Sequence, residues 1–112
     1  TDLWNPNICR SSAGACFHID SFFTTDSALK DLLSTHNKRL VISTADQSTP
    51  INVFTFSKND IIAFGSEHNG LSSIIESLAH ESIHIPMKHI DSINVSISAA
   101  MVAYELKRQQ LI

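Results

Sequence analysis

Four groups of residues in this sequence have types and spacings that could do chemistry. The first is Gly65-Ser66-Glu67-His68-Asn69-Gly70, a carboxylate held between two glycines. Such glycines allow a left-handed turn or a close approach of backbone to a ligand, and a plain turn calls for the same pair. Glu67 reads equally as a solvated loop carboxylate or as an anion favoured by the N-terminus of the following helix. The second group, Ser92 and Asn94, stands where a helix begins; helix capping and ligand contact are both open to it, together or separately. The third is Arg10, whose guanidinium near a turn can pair with a neighbouring carboxylate and is otherwise open. The fourth, His80-Glu81-Ser82-Ile83-His84, reads His-Glu-x-x-His. On a helix that spacing puts two zinc ligands on one face beside a glutamate base and describes a zinc hydrolase. Here Ile85-Pro86 follows at once, which stops a helix and sets His84 in or beside a strand, and no third ligand stands at a recognisable spacing. The expectation is no metal.

The elements that must position these residues alternate between strand and helix. Ala15-Cys16-Phe17-His18-Ile19 is short and largely apolar, without a decisive period. Thr24-Thr25-Asp26 supplies N-cap chemistry to a helix with Ala28, Leu29, Leu32 and Leu33 at helical spacing, ended by His36-Asn37-Lys38-Arg39. Leu40-Val41-Ile42 predicts a strand that runs into a polar loop over 43–50, and Val53-Phe54-Thr55-Phe56 gives no clear period. Ile61-Ile62-Ala63-Phe64 is apolar at every position, which predicts a strand buried on both faces of a parallel sheet. After the glycine loop, Ser73-x-x-Glu76 has the pattern of a capping box opening a helix with Ile74, Ile75 and Leu78. Ser82-Ile83-His84-Ile85 predicts a further strand. A last helix over about 94–109 is apolar almost all round until Lys107-Arg108, and so is expected to be buried on more than one side. One α/β domain with a mainly parallel sheet and flanking helices follows. In that class ligands bind beyond the carboxyl ends of the strands, where loops 65–70 and 86–93 fall.

Composition narrows the partners. The 112 residues are 43% hydrophobic and 17% charged, so one well-buried domain is expected and disordered charge runs are not. A net charge of −3 gives no global attraction to a polyanion. Lys88-His89 and Lys107-Arg108 are basic groups too small to carry RNA affinity by themselves. Cys9 and Cys16 make neither a zinc set nor a disulfide framework and are expected as reduced thiols. No apolar run is long enough for a membrane span and no leader pattern opens the chain, so a soluble protein of the cytoplasm or an organelle matrix is expected.

Ala63-Phe64-Gly65-Ser66-Glu67-His68-Asn69-Gly70-Leu71-Ser72 is similar to the second motif of the SpoU (TrmH) family of RNA ribose 2′-O-methyltransferases, an apolar strand followed by Gly-x-Glu-x-x-Gly-Leu-Ser. Ile85-Pro86-Met87, followed by Ser92-Ile93-Asn94-Val95-Ser96-Ile97-Ser98-Ala99-Ala100, resembles the third motif. Asn5-Pro6-x-Ile8-x-Arg10-x-Ser12-x-Gly14-Ala15 looks like the family's Arg-x-Ser-x-Gly-Ala segment, so the resemblance spans essentially the whole chain.

The resemblance implies a SPOUT-type α/β domain with a C-terminal trefoil knot, a homodimer, and S-adenosyl-L-methionine as cofactor for methylating a ribose 2′-hydroxyl in tRNA or rRNA. It implicates Gly65, Ile85 and Ile93, with Thr44 at the end of an earlier strand, in holding the adenosyl part through loop backbone. It also implicates Glu67, Ser92, Asn94 and Arg10 at the reaction centre, with Ser96 next along the last helix. The family's first motif, Asn-x-Gly-x-x-x-Arg, is not found, so the domain is expected to be N-terminally incomplete and inactive by itself; a non-catalytic RNA-binding or assembly module is the alternative. The 87–92 loop is one residue shorter than the common pattern and lacks its glycine, and Ile93 replaces the usual leucine. Gly65→Val is expected to fill the space of the adenosyl group and leave a folded domain.

Overall fold

The structure, a computed structural model, describes residues 2–45 and 48–112. Asp46 and Gln47 of the expected 43–50 loop lie outside the described residues. The elements are α1 (Pro6–Ser11), a 3-10 turn (Ala15–His18), α2 (Asp26–Thr35), β1 (Arg39–Ser43), β2 (Thr49–Pro50), β3 (Asp60–Ala63), α3 (Ser73–Leu78), β4 (Glu81–His84) and α4 (Val95–Arg108).

Every strand pairing is parallel, in the order β2-β4-β1-β3. β4 therefore enters between β1 and β2, with Ile42 opposite Ser82 on one side and Pro50 opposite His84 on the other. Alternation along β1 divides the apolar residues between two faces. Leu40 and Ile42 pack with Leu33 of α2 and with Ile75 and Leu78 of α3. Val41 faces the other way, into a cluster of Phe54, Phe56, Ile83, Ile85 and Val102 under α4. Helices thus cover both faces of one sheet, and the fully buried Leu40, Val41 and Ile83 stand at its centre.

Local chemistry explains the helix starts. Thr25 caps α2 by accepting a hydrogen bond from the Ala28 N–H at 3.1 Å. The cap of α3 is Ser72, which accepts from the Ile75 N–H at 3.2 Å, so the residue that begins the expected capping box is the first helical residue instead. Pro6 opens α1, and Asn5 caps it.

Two burial expectations are corrected. β3 is an edge strand and only half-buried, since the order leaves one of its sides without a neighbour among the described residues. On α4 only Ser98, Val102 and Glu105 are buried; Ile97, Met101 and Tyr104 are exposed. An all-apolar helix pattern thus gives one buried stripe and one apolar surface stripe. Among the described residues no helix is long and apolar enough to cross a membrane.

Candidate active site

Where β1, β3 and β4 end, the chain turns outward three times, and the three turns wall a cleft of about 500 Å³. β1 contributes Ser43 and Thr44, the latter held by its N–H to the Ile83 carbonyl at 2.9 Å. β3 runs into Phe64 and Gly65, where a sharp hairpin begins. Ser66 and Gly70 exchange backbone bonds of 3.2 and 3.0 Å, and the Asn69 N–H donates to Ser66 Oγ at 3.1 Å. Glu67 stands at the tip of this hairpin and faces the cleft.

The glycines serve different needs. Gly70 takes a left-handed conformation, φ +63°, with open space where a Cβ would point. Gly65 does not; a Cβ there would lie 2.5 Å from the Gly70 carbonyl carbon and 2.6 Å from the Leu71 nitrogen. Any side chain at Gly65 therefore collides first with the hairpin's own backbone. This corrects the reason expected for Gly65→Val, which acts by forcing the loop open before it touches a ligand.

The segment that leaves β4 supplies the buried Ile85, then Met87, Ser92, Ile93 and Asn94. Asn94 uses both ends of its amide. Its Oδ1 caps α4 by accepting from the Ser96 N–H at 2.8 Å, and its Nδ2 donates to Glu67 Oε1 at 3.2 Å. Capping and site geometry are one arrangement, because the cap fixes the side chain that steers the carboxylate.

Seven of the eight expected site residues thus line one cleft: Thr44, Gly65, Glu67, Ile85, Ser92, Ile93 and Asn94. Arg10 is not among them. It is exposed on α1, and its guanidinium donates to Asn7 Oδ1 at 3.1 Å. Ser96 also points elsewhere, into an apolar groove with Ile97 and Met101, and Ser98 takes the place expected for it. Helical geometry held that signal, since Ser98 is four residues from Asn94 and shares its face. Glu76 and Met87 line the cleft as well; the first was expected only as part of a capping box and the second only within the third motif. Among the described lining residues the only ionisable side chains are Glu67 and Glu76; none is cationic.

The His-Glu-x-x-His segment does not form a helical zinc site. Glu81–His84 is strand β4, and four residues of strand separate the two histidines by about 13 Å. His80 Nδ1 instead accepts from the Leu40 N–H at 2.9 Å.

Residues 1–104 match the SpoU rRNA Methylase family. The chain belongs to that family. Relatives within it include the 23S rRNA (guanosine-2′-O-)-methyltransferase RlmB of Acinetobacter baylyi, 39% identical over 67 residues that make up 59% of this chain and 27% of that protein. Another is the tRNA (cytidine(34)-2′-O)-methyltransferase of Beijerinckia indica, 36% identical over 73 residues, which are 64% of this chain and 46% of that one. This SpoU-family chain spans less than half the length of both. A crystal structure of an RNA 2′-O ribose methyltransferase superposes on all of it with a TM-score of 0.87 and 34% identity, covering 44% of that chain. The SpoU methyltransferase AviRb from Streptomyces viridochromogenes, solved with AdoMet, shares the fold with a TM-score of 0.89 and 24% identity over 99% of this chain and 44% of its own.

Proposed function

We propose that this chain forms the S-adenosylmethionine-binding part of a methyltransferase that modifies a ribose 2′-hydroxyl in tRNA or rRNA. The observation that carries the proposal is the convergence of four separated segments on one cleft beyond the carboxyl ends of parallel strands. Its volume falls in the range of about 300–1,000 Å³ usual for small-ligand sites. The lining suits a nucleoside with a polar tail: Ile85, Ile93 and Leu71 offer apolar surface, while Thr44, Ser92 and the strand-end backbone offer hydrogen bonds. S-adenosylmethionine, when bound, supplies an electrophilic methyl group on a sulfonium. The chain's own share is binding and orientation. Gly65, Ile85 and Ile93 present backbone to the adenosyl part. Asn94 holds the Glu67 carboxylate at the mouth, where it can orient the ribose or take up the hydroxyl proton, with Ser92 beside it. Arg10, on an exposed helix outside the cleft, is read as facing the substrate side.

The absence of a cation from the described lining favours a specific corollary, that the chain binds cofactor but does not methylate unaided. It is also what favours the second reading, a non-catalytic RNA-binding or assembly module. The insertion of the last strand, β4, between β1 and β2, with α4 returning across that face, supports the trefoil knot of the SPOUT type. The exposed stripe of Ile97, Met101 and Tyr104 on α4 supports pairing with a second copy.

Isothermal titration with S-adenosylhomocysteine tests the cleft, and transfer of labelled methyl groups to tRNA and rRNA tests the activity. Specific binding of one equivalent without transfer by the chain alone is the expected result. A folded chain that ignores the ligand would leave the assembly-module reading.

A further inference from the structure

The second histidine of the His80 to His84 segment has no part in the cleft described above, yet its ring is tied to it. The backbone of His84 is fixed by the sheet, since it pairs with Pro50 and its carbonyl accepts from the Ile51 N–H at 3.0 Å. Its half-buried side chain lies with Nδ1 3.1 Å from Ser48 Oγ. Ser48 Oγ is in turn 2.9 Å from Thr44 Oγ1, and the Thr44 hydroxyl donates to the Ile83 carbonyl at 3.3 Å. Thr44 lines the cleft; Ser48 and His84 do not. A chain of three polar side chains therefore runs from a wall of the cleft to an imidazole outside it.

A serine hydroxyl has one hydrogen, and the two neighbours of Ser48 compete for it. If that hydrogen points at Thr44, then His84 Nδ1 must carry its own hydrogen and donate to Ser48. If it points at His84, Nδ1 must be bare, and Thr44 must turn its single hydrogen from the Ile83 carbonyl to Ser48. The position of the hydrogen on the His84 ring thus decides whether Ser48 offers Thr44 a donor or an acceptor.

We propose that His84, acting through Ser48, is a positioning residue that sets the orientation of the Thr44 hydroxyl toward the bound cofactor. This deepens the reading of the cleft as a cofactor site and rests on it.

The test is titration of S-adenosylhomocysteine into the wild-type chain, Ser48→Ala, His84→Leu, His84→Asn and the Ser48→Ala/His84→Leu double variant, with thermal melts recorded for each. Loss of one oriented hydrogen bond weakens binding roughly five- to tenfold, so Ser48→Ala and His84→Leu should each show that loss. The double variant should bind no worse than either single, because both interrupt the same chain. His84→Asn puts an amide near the Nδ1 position and should recover most of the affinity, which a purely volumetric role for the ring would not allow. Imidazole nitrogen shifts of His84 should respond to ligand in the wild type and stay fixed in Ser48→Ala. Wild-type binding combined with undiminished affinity in Ser48→Ala, or additive losses in the double variant, would overturn the proposal while leaving the cofactor site standing. A folded wild type that binds nothing would overturn both. If His84→Leu does not fold, the affinity and nitrogen shifts of Ser48→Ala decide alone.

Discussion

At the end of the sheet where β1 and β3 begin, polar side chains are bound several times over. Arg39 grips Asp60 with Nε and Nη2 at 2.6 and 2.8 Å, Asp60 also accepts from the Ser57 N–H, and the guanidinium lies 5.3 Å from the centre of the Phe54 ring. Gln109 accepts from the Phe56 N–H at 2.9 Å and donates to the Phe54 carbonyl at 2.8 Å. Its neighbour Glu105 is held by Arg108 at 2.6 Å. At the other end, where the cleft opens, Asn94 and Glu67 meet through a single 3.2 Å bond between exposed groups. One end uses its hydrogen-bonding capacity internally and fastens the 51–57 segment and α4 to the sheet. The other holds its Glu67 carboxylate by one bond, and its shape depends on backbone closure at Gly65 and Gly70.

The largest effect that would sharpen this contrast is expected from Gly65→Val. The added carbons force the 66–70 hairpin away from Gly65, and binding of S-adenosylhomocysteine should fall below detection in a titration while circular dichroism keeps its α/β form. Retained binding would mean that the hairpin does not shape the cleft. Gln109→Ala should do the reverse: stripping the partner from the Phe56 N–H and the Phe54 carbonyl should cost about 2 kcal/mol in urea denaturation. Cofactor affinity should not change, and a variant that lost affinity instead would show that the two ends are coupled.

The smallest effect concerns acid. Hydrogen bonds from Arg108 and then Gln109 lower the Glu105 carboxyl from its ordinary 4.5 to about 2. A carboxyl lowered in the folded state adds stability above its unfolded value and loses it as pH falls toward the folded one. Thermal midpoints should therefore drop between pH 4.5 and 2. Glu105→Gln should flatten that drop without altering ligand binding at neutral pH; an unchanged acid slope would remove the Glu105 clamp from this account.

Much of this arrangement was legible in the sequence because the relevant signals are local. The β-branched run at Leu40-Val41-Ile42, the cap before α2 and the glycines around Glu67 each determine their own neighbourhood, and each lies within a residue or two of where it was expected. The family resemblance then pointed to eight residues, seven of which one cleft collects. What escaped depends on distant partners. β2 is two residues long and exists only because β4 pairs with it; nothing in Thr49-Pro50 announces a strand. α1 hid within a segment read for its motif, although Asn5-Pro6 has the chemistry of a helix start. Apolar runs cannot say how many neighbours an element has, which is why β3 was expected to be buried on both faces and α4 on more than one side. Ser48 and His84 were invisible as a pair because 36 residues separate them.

The place of β4 has a consequence for the order in which the molecule can be made. β1 and β2 share no pairing and meet only through a strand that comes about forty residues after β1. While the chain is being synthesised, β1 can join β3 early, but its other edge, with Val41 and Ile42, has to wait uncovered until residue 84 has emerged. The sheet is therefore closed from its centre and late, by the arrival of its last strand. A nascent chain halted before that point would carry an open apolar edge of the kind that recruits other chains.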